Sequence, residues 1–186
     1  MEYIQEYQSP LGEITLASDG EYLTGLWFKG QKYYGASLEP EVQEKELTVF
    51  VQTRHWLDLY FRGEEPDFLP PLRMKTTPFR REVWEILLSI PYGKTMTYGE
   101  IASLIARKKG ISSMSAQAVG GAVGHNAISL IIPCHRVVGT NGSLTGYAGG
   151  IEKKISLLML EGTDMTGLCV PEQSEKKAMA GTEEKV

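Results

Sequence analysis

Residues 133–137 read Pro-Cys-His-Arg-Val, placing a thiol, an imidazole and a guanidinium in succession at Cys134, His135 and Arg136. The reactive form of a cysteine is its thiolate, whose population rises beside a positive group. A neighbouring base can also withdraw the thiol proton. The stretch therefore has the ingredients of an activated sulfur nucleophile. It follows the apolar run Leu130-Ile131-Ile132, which reads as a buried strand ending at Pro133. A lone cysteine usually serves as a small buried hydrophobe, so the chemical reading depends on its surroundings.

Other chemistries find less support. The soft and nitrogen ligands are Cys134, Cys169, His55, His125 and His135, with no C-x-x-C or H-x-x-x-H spacing. Zinc sites need such clusters, so a metal-free thiol and no cofactor are expected. Two cysteines are also a poor basis for a disulfide scaffold.

The elements that must position the thiol fall into two groups. In the first third, Glu2–Gln8, Glu13–Ser18 and Leu23–Phe28 carry β-branched and aromatic residues separated by turn chemistry, and they read as strands. From Pro40 the apolar residues Val42, Leu47, Phe50, Val51, Trp56, Leu57 and Tyr60 recur at helical spacing, until Gly63 stops the pattern. Residues 63–71 are rich in Pro, Glu and Asp and read as an exposed linker.

Beyond the linker, Thr77-Pro78 fits an N-cap followed by proline at the first helical position. Thr97 and Glu100 form a capping box for the next helix. A basic loop over 107–113 leads into a third helix at 115–124, built from small residues. Two helices joined this way, the second with little bulk, are what a helix-turn-helix needs to approach DNA closely. Asn141-Gly142 signals a tight turn. A last amphipathic helix over 151–161 ends at Gly162. The expected fold class is α+β: a small N-terminal sheet-plus-helix domain (1–71), a mainly helical C-terminal domain (72–170), and a polar, disordered tail (171–186).

The chain has 186 residues, 42% of them hydrophobic, and a net charge of −4. Residues 72–154 hold eleven Lys/Arg against four acids and so carry +7, leaving −11 on the rest. Such asymmetry points to one polyanion-facing domain with an acidic companion. No stretch is apolar for the roughly 18–20 residues that span a bilayer, and the acidic start lacks a signal peptide's features. An intracellular, reducing setting is expected: cytoplasm, or nucleus in a eukaryote.

The blocks IPYGKTMTYGEIA (90–102), AVGGAVGHN (118–126), IPCHRVVG (132–139), GYAGG (146–150) and KKISLLMLEG (153–162) resemble the O6-alkylguanine-DNA alkyltransferases, also called methylated-DNA–protein-cysteine methyltransferases. The resemblance implies that Cys134 takes the alkyl group from guanine O6 and keeps it as a thioether, in a single turnover without metal or cofactor. By the same resemblance His135 draws the thiol proton through a water, Glu161 orients the imidazole, and Asn126 links the helix-turn-helix to the site. Tyr98 would reach the guanine and crowd its phosphate. Tyr147 and Ala148, with the glycines after them, would wall the base pocket, and Ala118, Gly120 and Val137 would meet the DNA or the base. Pro133, Arg136 and Lys154 would shape the site. The implied partner is double-stranded DNA containing O6-alkylguanine, met by a monomer.

Two positions depart from the family. Gln117 stands where arginine normally enters the base stack, and Ala127 where a proline normally follows the asparagine. Gln117 brings no charge and less stacking area, so either DNA binding is weaker or a neighbour among Arg107–Lys109 compensates. Ala127 would loosen the hinge. Alternatives of other classes are a lesion-binding module without transfer, and a papain-like thiol hydrolase. The first conflicts with an intact Cys134, His135 and Glu161. The second would need an oxyanion hole and usually a histidine distant in sequence.

Overall fold

The computed structural model describes residues 1–171, so the expected tail lies, apart from Pro171, outside the described residues. Turn residues end the first strands. Strands β1 (Glu2–Ser9), β2 (Gly12–Ser18) and β3 (Leu23–Phe28) form an antiparallel meander. The run that reads as the head of a helix instead supplies β4 (Val42–Glu44), which pairs in parallel with Glu2–Ile4 and gives the sheet order β3-β2-β1-β4. Helix α1 begins only at Thr48 and runs to Phe61. Val42 satisfies the helical spacing, but it is β-branched and a free sheet edge lies within reach.

The second half holds α2 (Pro78–Leu88), α3 (Tyr98–Lys109), α4 (Ala116–Gly124) and α5 (Ile151–Leu160), with α2, α3 and α4 packed on one another. The architecture is mixed α+β, and one buried cluster passes from Trp27 and Tyr60 through Trp84 and Ile101 to Cys134. Local capping sets the helix starts. Thr77 accepts from the Arg80 N–H at 3.3 Å, and Thr97 and Glu100 complete their capping box at 3.0 and 2.7 Å. Ser115 accepts from Ala118 N–H at 3.2 Å.

Helix α3 continues through Lys109 and ends at Gly110, whose φ of 66° no other residue type adopts as cheaply. The basic residues expected in a loop thus form its last turn. No helix among the described residues is long and apolar enough to cross a membrane.

Candidate active site

The chain enters the site through a buried turn, where a strand was expected at 130–132. Leu130 adopts φ 68° at the centre of a three-residue turn closed by Ile131 N–H donating to Ser129 O at 2.8 Å. Asn126 templates this turn: its Oδ1 accepts from Ile128 N–H at 3.0 Å and its Nδ2 donates to Ile132 O at 2.7 Å. An unbroken apolar run does not distinguish a buried strand from a buried turn, and here a polar side chain decides. Ala127 lies in a segment tied to β3 by backbone hydrogen bonds. Its carbonyl accepts from Leu26 N–H at 2.8 Å, and Ser129 N–H donates back to Leu26 O at 2.9 Å.

Pro133 then leads into a single 3-10 turn, Cys134–Arg136, followed by β6 (Val137–Val138), which pairs in parallel with β5 (Met96–Thr97). Cys134 is 5% exposed. Burial pushes its thiol above the ordinary value, opposed by a hydrogen bond with Asn126, the Lys154 charge and backbone hydrogen bonds. The resting sulfur is therefore a thiol rather than a standing thiolate.

The neighbouring side chains explain why. Arg136 turns to Glu161, donating from Nε to Oε2 at 2.9 Å and from Nη2 to Oε1 at 3.0 Å, while Nη1 holds Ile90 O at 2.7 Å. His135 is fully buried, and burial lowers its pKa against the opposing pull of Glu161. Its Nε2 lies 2.6 Å from Glu161 Oε1. Burial alone would raise the Glu161 carboxyl, but hydrogen bonds and charge from His135 and Arg136 bring it down to about 2. An ionised carboxylate only accepts, so Nε2 carries the hydrogen. Nδ1 is then the basic nitrogen, and it is buried with no partner among the described residues.

Lys154 on α5 is fully buried and donates to the Val137 and Thr145 carbonyls. Burial lowers its pKa to about 8, while the sulfur raises it. It remains a cation at neutral pH and supplies the positive field at Cys134 that Arg136 does not.

Tyr98 opens α3 with its hydroxyl donating to Thr145 O at 3.1 Å. Burial pushes its pKa up to about 12, with Cys134 contributing. A Cβ built on Gly120 would lie 3.8 Å from its ring, an ordinary van der Waals contact, so the ring packs close to this face of α4. On α4, Gln117 and Ala118 are exposed and Gly120 half-buried, while Val119, Ala122 and Val123 face the core. Tyr147 and Ala148 are half-buried in the loop before α5, and the Tyr147 hydroxyl is buried without a partner among the described residues. Val137 stands apart from the other expected base contacts. Its side chain is wholly buried in β6, and its carbonyl serves Lys154.

Two contributions from the first half had no sequence signal. Tyr60 of α1 donates its hydroxyl to Glu161 Oε1 at 2.8 Å. Lys32 N–H donates to Ala148 O at 3.1 Å, and Tyr33 stacks on His125 with ring centroids 3.9 Å apart. These two residues close one side of a cleft of about 390 Å³ whose other walls include Gly120, Gly124 and Tyr147.

The basic segment is not one polyanion face. Arg136 and Lys154 are buried, Arg73 and Lys75 pair with Asp19 and Glu2, and Lys108 and Lys109 turn to Glu82 at 3.7 and 3.2 Å.

Comparison with known proteins agrees with this geometry. Residues 78–163 match the family described as 6-O-methylguanine DNA methyltransferase, DNA binding domain, and residues 3–74 match its ribonuclease-like domain. The chain belongs to the 6-O-methylguanine DNA methyltransferase family. It is 42% identical over 160 residues to the methylated-DNA–protein-cysteine methyltransferase of Haemophilus influenzae, covering 86% of each chain. The Mycobacterium tuberculosis enzyme of that name is 42% identical over 163 residues, 87% of this chain and 93% of its own. The crystal structure of M. tuberculosis OGT in complex with DNA superimposes with a TM-score of 0.73 at 41% identity, covering 86% of this chain and 92% of that one. The methyltransferase family thus accounts for both halves of the chain.

Proposed function

We propose that this protein repairs double-stranded DNA by moving the alkyl group of O6-alkylguanine irreversibly onto Cys134, as a monomer and in one turnover. The observation that carries the reading is a buried thiol beside an imidazole whose Nε2–H is committed to Glu161, leaving Nδ1 as a free base. His135 takes the thiol proton. Sulfur bonds to the alkyl carbon as the carbon–O6 bond breaks, and the electron pair passes to the guanine, which takes up a proton and stays in the DNA as the unmodified base. A soft, polarizable sulfur suits displacement at an unactivated methyl. The thioether has no good leaving group, so the protein ends alkylated.

The alkyl group on O6 lies inside the duplex, so the nucleotide must rotate outward at a cost of a few kcal/mol. Helix α4, with Gln117, Ala118 and Gly120, approaches the DNA. Tyr98 crowds the backbone, and Tyr147 and Ala148 receive the base. Asn126 holds the turn that presents the sulfur, and Pro133, Arg136 and Lys154 fix its surroundings. We assign residues 1–71 and 72–170 to the accessory and alkyl-transfer domains.

The test is to incubate the protein with a duplex bearing labelled O6-methylguanine and weigh it intact. One methyl on Cys134, stoichiometric and without turnover, is expected. Binding without mass gain, or equal transfer from duplexes methylated on other bases, would overturn the reading.

A further inference from the structure

The relay residues come from the second half of the chain, but one donor to it comes from the first. Tyr60 occupies the last turn of α1 with 0% exposure, its ring stacked on Trp56 at 5.2 Å and edge-on to Phe61 and Tyr92. Its hydroxyl donates to Glu161 Oε1 at 2.8 Å, the oxygen that also takes His135 Nε2–H at 2.6 Å. The phenol oxygen lies 3.3 Å from Nε2 itself.

We propose that Tyr60 is a positioning residue for alkyl transfer: its hydroxyl fixes Glu161 Oε1 so that His135 is held as the Nε2–H tautomer with Nδ1 left as the base. The inference rests on the reading of His135 as proton acceptor.

The other oxygen of Glu161 is already fixed, by Arg136 Nε at 2.9 Å and Gly93 N–H at 3.2 Å. At Oε1 the donors besides Tyr60 among the described residues are Arg136 Nη2 and the imidazole. Of these the imidazole is the group that must change charge during transfer. The phenol therefore supplies an anchor whose own charge stays constant. Burial and the adjacent carboxylate hold its pKa well above the ordinary value. A packing role alone would not need the hydroxyl, since phenylalanine keeps every ring contact. Burying an O–H is unfavourable unless it is bonded, and here its bond is to the relay carboxylate.

Removing that donor leaves Glu161 a stronger acceptor for His135 Nε2–H. The imidazolium is then better stabilised, the histidine pKa rises, and less neutral base is present at mildly acidic pH.

The experiment compares the full chain with Tyr60→Phe in single-turnover transfer from an O6-methylguanine duplex, over about pH 5 to 8, where a histidine changes charge. The plateau rate should fall about tenfold, as suits loss of one hydrogen bond to a charged group. The acid limb should move to higher pH, with DNA affinity little changed. An unchanged rate and limb would overturn the proposal, and so would a uniform loss with the limb in place. Nitrogen-15 NMR of His135 in the unsubstituted protein needs no variant. Protonation at Nε2 is expected, and protonation at Nδ1 would sink the proposal even if Tyr60→Phe folds poorly. Failure of the underlying reading shows separately, as no methyl on Cys134 in the unsubstituted protein or as full-rate transfer by His135→Gln.

Discussion

The guanidinium of Arg136 grips both oxygens of Glu161, through Nε at 2.9 Å and Nη2 at 3.0 Å. The arginine beside the nucleophile therefore serves the carboxylate rather than the sulfur. A buried ion pair is a poor source of stability compared with apolar packing, but removing one partner strands the other charge. The pair makes the site's electrostatics conditional on Glu161 remaining ionised.

That condition is a statement about pH. The folded pKa of Glu161, about 2, lies below the ordinary 4.5, so its stabilisation is full above 4.5 and is lost as pH falls toward 2. The shift corresponds to about 3 kcal/mol at neutral pH. Glu161→Gln, which mimics the protonated acid, should lose about that much in urea unfolding at pH 7, and the gap should close between about pH 4.5 and 2. A gap independent of pH would show that the charge on Glu161 is not what stabilises the fold.

Lys154 behaves in the opposite sense. Its folded pKa of about 8 lies below the ordinary 10.5, so burying the cation is a penalty below pH 8. Protonation of the unfolded chain is favoured between those values, and stability should rise with pH across that window relative to Lys154→Met. The same variant removes the positive field on Cys134. In a Cys169→Ser background, which silences the exposed thiol, its alkylation by iodoacetamide should slow at neutral pH. An unchanged alkylation rate would show that Lys154 only bonds carbonyls.

Local chemistry was legible in the sequence. Thr77, and Thr97 with Glu100, cap the helices their spacing predicts, because a cap is settled within four residues. The succession Cys134-His135 marked the chemistry for the same reason. What the sequence hid is settled by distant partners. Val42–Glu44 is a strand only because β1 offers an edge. Tyr60 and Glu161 meet across 101 positions, and at helical spacing a tyrosine reads as core. The charge excess over 72–154 overstated a basic face, since composition does not record that Glu82 takes up Lys108 and Lys109.

Gly146 adjoins the pocket loop at φ +79°, and a Cβ there would sit 2.8 Å from the Tyr98 hydroxyl oxygen. Gly146→Ala should cost about 1–2 kcal/mol in backbone strain and displace Tyr98 from its bond to Thr145 O. Thermal unfolding should register the first effect. Transfer should fall further than the stability loss explains, because Tyr98 is the side chain proposed to crowd the DNA backbone. Normal transfer with lowered stability would separate Tyr98 from the reaction.

Gln117 is exposed on α4, and the geometry narrows what compensates for its missing charge. Lys108 and Lys109 are held by Glu82. Arg107, in contrast, lines a cleft with Met114 and Ala116 at the start of α4. Gln117→Arg should leave stability within about 0.5 kcal/mol, as for other exposed substitutions. DNA binding should tighten, with the slope of log affinity against log salt steepening by about 0.9 for one added phosphate contact. Transfer should also speed up, since a longer, charged side chain fills the gap left by an extruded nucleotide better than an amide does. Arg107→Ala should flatten the salt slope in the parent protein and do so less in the Gln117→Arg background. Independent effects of the two substitutions would mean that Arg107 does not stand in for the absent arginine, and that this chain works with a weaker hold on the opened duplex.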